Sequence, residues 1–243
     1  MGILDLLFGS SDTTTFYQLY NKLRKWKEAK VFPFEYNLPK DISLPTDFWD
    51  KITKLNKQTI SDGNERAVSI YWADGEIVVS QITTGNEKSV TTNSNISVKY
   101  SQHPTRKEYA RKEVLLNNSV YKKTDIYYKK IPKKIEVAYL FNMHTHPQHQ
   151  SEQGNTYYNF FSAQDVKSLI NSKVAVTGLI TDKLWLLIRT DKTPNNVENI
   201  QDKDMNIEYL NNTLHIGVYC ANFHNKLVKQ LPTTTTGSTT TSS

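Results

Sequence analysis

The spacing of apolar residues predicts helices in the first quarter of the chain. Apolar side chains recur every three or four positions, which is the period of an amphipathic helix. One helix is predicted over 15–31, and a second is predicted to begin after Pro45, with Thr46 as its N-cap, and to end before Ser61. The residues between them, 32–44, contain prolines and are expected to form an extended connector.

After residue 65, shorter runs of β-branched and aromatic residues predict strands. Two of these runs flank Asp74–Gly75, a sequence that favours a tight hairpin turn. The run 107–116 is interpreted as a helix of mixed charge, and residues 207–210 and 214–227 contain further helix or strand. The predicted strands are 66–72, 77–83, 96–100, 119–128, 174–180 and 183–189, together with an apolar run that begins at Ile135.

This last apolar run ends in two histidines, His144 and His146, which are followed by Pro147. Because successive side chains of a strand alternate between faces, both imidazoles are expected to point the same way and can share one ion. Proline cannot donate a hydrogen bond to a sheet, so the strand should end where the histidines lie. Functional residues often occupy such a position beside a loop.

A helix is predicted to begin at Ser162, which is a good N-cap residue. Asp165 follows three residues later, and its carboxylate can project from the first turn toward the end of the histidine strand. Two histidines, one carboxylate and an open position for water form a catalytic rather than a structural zinc site. The pattern therefore predicts Zn²⁺ bound by His144, His146 and Asp165.

Length and cysteine content indicate the class of protein. A chain of 243 residues accommodates one domain with a sizeable core. Its single cysteine, Cys220, excludes an intramolecular disulfide, and no secretory signal pattern opens the sequence, so a reducing, cytoplasmic location is expected. The apolar residues 1–9 are too few to span a bilayer, and no transmembrane segment is predicted.

The net charge of +6 is concentrated in one segment. Residues 105–134 contain ten Lys/Arg against three acidic residues, interleaved with tyrosines. A solvated basic surface is the simpler interpretation, while contact with nucleic acid is the alternative that such a composition allows.

The sequence His144-Thr-His146-Pro147, the later Ser162-x-x-Asp165 and an upstream glutamate resemble the motif of the JAMM (MPN) zinc peptidase domain. The resemblance covers roughly residues 46–190. It implies an α/β fold with a mixed, mainly antiparallel sheet flanked by helices, built on a cytidine-deaminase-like core. The expected divisions are an N-terminal helical extension (1–45), the JAMM/MPN-like domain (46–230) and a disordered Thr/Ser tail (231–243).

The resemblance also implies a role for each matching residue. His144, His146 and Asp165 would bind zinc, Glu65 would act as the base on the activated water, and Ser162 would stabilise the tetrahedral intermediate. Other candidates for the base are Asp62, Glu76, Glu108 and Glu113, and His149 is a further candidate ligand.

Two features depart from the family pattern. Asp165 follows His146 by 19 positions, which is longer than usual, so residues 150–160 are expected to form an inserted loop over the site. The glycine that often follows the family's glutamate is missing after Glu65.

The function expected from this resemblance is a zinc-dependent peptidase or isopeptidase. Its substrate would be a peptide or protein, with ubiquitin-like conjugates as one class. A non-catalytic MPN-type scaffold and the peptidase domain of a toxin or effector are the alternatives. The pattern leaves the oligomeric state open.

Overall fold

The structure, a computed structural model, describes residues 13–29, 31–86, 89–91, 94–147, 159–172 and 174–232. Its α-helices are α1 (Phe16–Ala29), α2 (Thr46–Asp62) and α3 (Ala163–Asn171). Its first strands are β1 (Thr13–Thr15), β2 (Asp41–Ser43), β3 (Arg66–Ala73), β4 (Glu76–Val79), β5 (Thr83–Thr84), β6 (Ile96–Gln102) and β7 (Tyr109–Leu116). The later strands are β8 (Ser119–Tyr127), β9 (Val137–Thr145), β10 (Val176–Ile180), β11 (Leu184–Arg189), β12 (Ile216–Ala221) and β13 (Leu227–Gln230).

Ten of the strands form one sheet in the order β1-β2-β13-β12-β11-β10-β9-β3-β4, with β5 also paired to β3. The β1–β2 and β9–β10 pairs are parallel, and the other pairs are antiparallel. The prediction of an α/β fold with a mixed, mainly antiparallel sheet is therefore confirmed. The strands β1 and β2, which fall within the predicted N-terminal extension, are part of this sheet.

The helices cover both faces of the large sheet. Neighbouring residues of β11 belong to different apolar clusters, Leu186 to one and Leu187 to the other, because their side chains point to opposite faces. Phe16 of α1 and Leu55 of α2 pack in the first cluster, whereas Val166 of α3 packs in the second. Helix α3 and helices α1 and α2 thus lie on opposite sides.

A second, antiparallel sheet consists of β6, β7 and β8. It overturns the interpretation of residues 107–116 as a helix, because 109–116 form the central strand of this sheet. Ala110, Lys112 and Val114 are buried and alternate with more exposed residues. This burial has a period of two and is produced by packing against the β3–β4 hairpin, including Tyr71 and Val78. Local charge spacing contained no sign of this long-range contact.

The predicted helices are confirmed, with changes at their ends. Pro45, in an extended conformation, occupies the N-cap position of α2, so the prediction of Thr46 as N-cap is wrong and Thr46 is the first helical residue. The helix continues to Asp62 and ends at Gly63, whose left-handed φ of 72° suits glycine. No helix among the described residues is long and apolar enough to cross a membrane.

Short elements occur in the predicted connector and in the segment that was predicted as either helix or strand. Residues 32–44, expected to be an extended connector, contain a 3₁₀ helix at Glu35–Asn37 as well as β2. Residues 207–227 contain a π-helical turn at Tyr209–Thr213 and then β12. The predicted disordered tail lies outside the described residues from position 233 onward.

The segment β9-α3-β10 is the part of the fold that positions the histidines. In such a unit the helix returns antiparallel to the strands, so its N-terminus lies near the carboxyl end of the first strand. Gly178 of β10 pairs with Met143 of β9, directly before His144. A Cβ atom at Gly178 would lie only 2.6 Å from Cγ of Met143. The two strands therefore approach closely beside the histidines.

We expect Gly178→Ala to lower the free energy of unfolding by about 1–3 kcal/mol, because the added methyl group overpacks this contact. Urea denaturation measures the change. In a Met143→Ala background the Cγ atom is gone and only Cβ remains, at 3.3 Å, so the same substitution should cost clearly less. An equal cost in both backgrounds would contradict the proposed clash.

Candidate metal centre

Strand β9 brings its two histidines to one buried point. The strand ends at Thr145, so His144 is its penultimate residue and His146 directly follows it, as the proline-terminated pattern predicted. The Nε2 atoms of the two rings lie 3.2 Å apart. Both side chains are buried. The prediction that the two imidazoles share one side of the strand is confirmed by this contact.

Asp165 completes the group from the first turn of α3. Its Oδ1 atom lies 3.2 Å from Nε2 of His144, and its Oδ2 atom lies 3.5 Å from Nε2 of His146. The three side chains are the one group of potential ligands that can hold a metal ion among the described residues. The carboxylate and both imidazoles therefore converge, although the aspartate is 19 positions beyond His146.

The separations of these atoms fit a tetrahedral metal ion. Zinc binds histidine nitrogen and carboxylate oxygen at about 2.0–2.2 Å, which places neighbouring ligand atoms about 3.4 Å apart in a tetrahedron. Nε2 of His144 lies 3.2 Å from Nε2 of His146 and 3.2 Å from Oδ1 of Asp165, and the second carboxylate oxygen, Oδ2, lies 3.5 Å from Nε2 of His146. The donor set of two imidazoles and one carboxylate also suits a divalent transition metal. The residues present thus fit such an ion in both geometry and chemistry.

The charges of the three groups are strongly coupled. Burial tends to raise the pKa of Asp165, but the adjacent His144 and His146 hold it well below its ordinary value. For His144 burial lowers the pKa, yet Asp165, Glu65 and a backbone hydrogen bond with Gly178 together raise it. The site therefore favours an ionised carboxylate beside positive charge, which a bound cation also supplies.

A capping box holds the aspartate in place. The Ser162 hydroxyl donates to Oδ2 of Asp165 at 2.8 Å, and the Ser162 backbone N–H donates to the same oxygen at 2.8 Å. In return the Asp165 backbone N–H donates to the serine Oγ at 3.2 Å. This leaves Oδ1, which faces His144, as the natural ligand atom. The helix cap predicted from the sequence is confirmed.

Two contacts near the site had no signal in the sequence. The carboxylate Oδ1 of Asp202 accepts a hydrogen bond from the backbone N–H of Ala163 at 2.7 Å, which fixes the start of α3. The backbone of Gly178 hydrogen-bonds His144 and so orients its ring. Both partners are distant in sequence and become neighbours only through the order of strands. Contacts of this kind restrict the orientation of metal ligands.

Glu65, the predicted base, directly precedes β3 and is buried. Its backbone N–H donates to the carbonyl of Asn86 at 2.8 Å, and its own carbonyl accepts from the N–H of Gly85 at 2.9 Å. Burial raises the pKa of its carboxyl, while the nearby His146 and His144 lower it in part. The charge interaction of its carboxyl with both histidines shows that Glu65 lies within electrostatic reach of the triad. Its role as base stays a prediction.

The other candidates for the base have different partners. Asp62 forms an ion pair with Arg66, and Glu76 forms one with Lys122. Glu113 lies 3.2 Å from Lys123 in the second sheet. Glu108, the remaining candidate, is exposed.

The remaining described histidines make separate contacts. His103 accepts a backbone hydrogen bond from Arg106 at 3.0 Å and lies 3.2 Å from Asp125. His215 lies 3.7 Å from Glu35. His224 contacts Thr53 at 3.4 Å. Residues 148–158, which include His149 and most of the predicted inserted loop, lie outside the described residues.

The basic segment 105–134 lies mainly in the second sheet and in the turn after it. Its acidic residues are partly neutralised, since Asp125 forms an ion pair with Arg106. The Tyr109 and Tyr127 rings contact each other with centroids 4.5 Å apart and their planes tilted by 30°. An exposed group of lysines remains, comprising Lys129, Lys130, Lys133 and Lys134. Binding of nucleic acid by this segment stays a prediction.

Comparison with known proteins adds no relative to this picture of three converging side chains. A scan against protein-family models and searches of curated proteins and solved structures found no match. The resemblance to JAMM domains rests on Glu65, His144, His146, Ser162 and Asp165.

We expect the full chain to bind one divalent transition-metal ion, and His146→Ala to weaken that binding more than about 100-fold. Loss of a direct ligand should exceed the effect of losing an outer hydrogen-bond partner. Titration with Co²⁺, followed by visible absorption, measures the affinity. His215→Ala removes a histidine outside the triad and is the matched control. Equal Co²⁺ affinity in both variants would exclude the triad as the binding site.

We expect Ser162→Ala to weaken metal binding about 10–100-fold, because Asp165 loses the hydroxyl that orients it. Loss of the N-cap should also lower the free energy of unfolding by about 1 kcal/mol. Calorimetric titration and thermal unfolding give the two quantities. Ser168→Ala, on the same helix, should leave the affinity unaltered. An unchanged affinity in Ser162→Ala would argue against the orienting role of this hydroxyl.

Proposed function

We propose that this protein is a zinc-dependent amide hydrolase of the JAMM type, with His144, His146 and Asp165 as the metal ligands. The convergence of these three side chains on one point, where their ligand atoms can hold a single metal ion, is the observation that carries the proposal. A buried carboxylate within electrostatic reach, Glu65, supports it. Three protein ligands are typical of catalytic zinc sites, whereas structural sites use four.

Zinc in this place supplies two effects, polarisation of the scissile carbonyl and a lowering of the pKa of a water molecule to about 7. The remaining chemistry belongs to the chain itself. Glu65 takes a proton from the attacking water as the water oxygen bonds to the carbonyl carbon. Glu65 then gives that proton to the nitrogen as the C–N bond breaks. The products are a carboxylic acid, which keeps the second proton of the water, and an amine.

The environment of Glu65 suits a group that both accepts and returns a proton. Burial raises the pKa of its carboxyl from the ordinary value, and the histidine pair limits that increase. A general base works best when its pKa approaches the working pH, because it must be ionised yet still hold the proton strongly. The neighbouring histidines thus favour the ionised form of the Glu65 carboxyl, while burial makes the carboxylate a stronger base.

Ser162 has two roles in the proposal. In the structure its hydroxyl donates to Asp165, which makes it a positioning residue for the ligand. The resemblance also implies that it stabilises the oxyanion, and this requires the hydroxyl to turn from Asp165 toward the substrate. Loss of kcat in Ser162→Ala at saturating zinc would support the second role.

The substrate class comes from the resemblance alone. It comprises peptide and isopeptide bonds, including those at the C-terminus of ubiquitin-like proteins. A scaffold that keeps the fold without catalysis is the rival. Zinc content and turnover together separate the rival from the enzyme, because a scaffold needs neither.

We expect Glu65→Gln to keep about one zinc ion per chain while amide hydrolysis falls about 10²–10⁴-fold, the usual contribution of a general base. The substrates are a proteome-derived peptide library read by mass spectrometry and ubiquitin with a fluorogenic C-terminal amide. Glu113→Gln, in the second sheet, is the control and should retain the wild-type rate. Absence of cleavage by the zinc-loaded wild type on both substrates, or equal rates for wild type and Glu65→Gln, would contradict the proposal.

A further inference from the structure

Thr145, which lies between the two histidines, is completely buried and points away from them. Successive residues at the end of β9 alternate between faces, so the imidazoles face α3 while the threonine faces α2. Its Oγ1 atom lies 2.7 Å from Oγ1 of Thr59, in the last turns of α2. Thr59 is equally buried.

The same hydroxyl also joins β9 to the start of β3. The backbone N–H of Arg66 donates to Oγ1 of Thr145 at 2.8 Å. The backbone ladder between the two strands has its last pair at Ala67 and His144. The threonine hydroxyl thus provides the next link, at the point where main-chain pairing stops. One oxygen atom therefore connects β9, β3 and α2.

This link lies directly beside the residues of the candidate site. Glu65 is the neighbour of Arg66 in the chain, and His144 and His146 are the neighbours of Thr145. Arg66 directs its guanidinium toward Thr59 and Asp62 on the α2 side. Because adjacent side chains of extended backbone point oppositely, Glu65 is directed to the other side, where the triad lies. Electrostatic coupling between Glu65 and both histidines agrees with this direction.

Glu65 is therefore held from two directions. On one side its backbone pairs with Gly85 and Asn86. On the other side its neighbour Arg66 is attached to Thr145. The metal ligands lie on β9 and α3, and β9 is also paired with β10 at its other edge, where Leu179 pairs with His144. The hydroxyl thus acts mainly on the start of β3 and on the base beside it, while β10 and α3 also hold the ligands.

We infer that Thr145 is a positioning residue that fixes the base Glu65 against the histidine pair through its hydrogen bonds to Arg66 and Thr59. The inference rests on the proposed function for its catalytic consequence. Its structural part, the attachment of β3 to β9, can be measured without any substrate. A hydroxyl is required because a valine of the same shape leaves the buried Arg66 N–H and the Thr59 hydroxyl without this partner.

Thr145→Val is the first test, with Thr145→Ser as the variant that keeps the hydroxyl. Thr190→Val is the matched control, because Thr190 is also fully buried and its hydroxyl donates to a backbone carbonyl, that of His215, at 2.6 Å. Thr190 directly follows β11, and the carboxyl end of β11 pairs with the start of β10. Thr190 therefore lies at the opposite end of the strands from the triad.

Hydrogen exchange at the Arg66 amide gives the readout that is independent of substrate. Loss of its acceptor should increase the exchange rate at least about tenfold in Thr145→Val and change it little in Thr145→Ser and Thr190→Val. Zinc affinity should stay within about threefold of wild type in all three, because no ligand is altered. An unchanged Arg66 exchange rate in Thr145→Val would overturn the inference even if the wild type proves to be an active hydrolase.

Turnover of the fluorogenic ubiquitin amide, or of a library peptide that the wild type cleaves, gives the catalytic readout. We expect kcat of Thr145→Val to fall about 10–100-fold with KM within about threefold, the scale typical of outer-shell partners. In a Glu65→Gln background the same change should have little further effect, because the two residues act as a unit. Wild-type kcat in Thr145→Val, or fully independent effects of the two changes, would overturn the inference.

A wild type that cleaves neither substrate refutes the proposed function but leaves the exchange and zinc measurements to decide the structural part. If Thr145→Val does not fold, Thr59→Val replaces it. That variant removes the second hydroxyl of the link and keeps Thr145. It should still raise the Arg66 exchange rate and lower kcat at least about threefold, and equality with wild type in both would overturn the inference.

Discussion

The structure depends on the convergence of three lone-pair donors at one buried point. His144, His146 and Asp165 bring two nitrogens and a carboxylate within 3.5 Å of each other in a place shielded from water. Burying such groups is unfavourable unless their charge and hydrogen-bonding capacity are satisfied. Against the effect of burial, the neighbouring Asp165 carboxylate is the chief cause of the raised pKa of His144, which shows that this point favours positive charge. A divalent cation supplies such charge.

The large sheet makes this convergence a consequence of topology. A strand followed by a returning helix and a parallel strand places the start of α3 beside the end of β9, so Ser162 and Asp165 meet the histidines. Antiparallel pairing of β3 with the other edge of β9 brings Glu65 to the same end. Three short motifs that are distant in sequence thus become neighbours because strand ends align.

Sequence patterns predicted the parts of this arrangement that depend on local physics. The capping box at Ser162 and the strand that ends shortly before Pro147 follow from backbone geometry over a few residues, and both are present. The two ends of α2 lie close to their predicted positions, because the proline before the helix and the glycine after it determine the ends locally. The convergence of the donors was inferable only from the order of the motifs.

Other features could not be predicted because they arise from distant packing. Residues 109–116 are a strand because their small and apolar residues, and even Lys112, pack against the β3–β4 hairpin, which no local periodicity reveals. Asp202 caps α3 across 39 positions of sequence. Nothing in the sequence around Thr145 indicated a structural role, yet its hydroxyl joins two elements that are 79 and 86 positions away. Such polar links are visible only once the fold brings their partners together.

X-ray absorption at the zinc edge tests the central statement, that these side chains form one metal site, most directly. The full chain loaded with one equivalent of Zn²⁺ should give a first coordination shell of nitrogen and oxygen at about 2.0–2.1 Å, with the multiple-scattering signal of two imidazole rings. A shell of five or six oxygens with no imidazole signal would show that the ion binds elsewhere. That result would contradict the account of His144, His146 and Asp165 as its ligands.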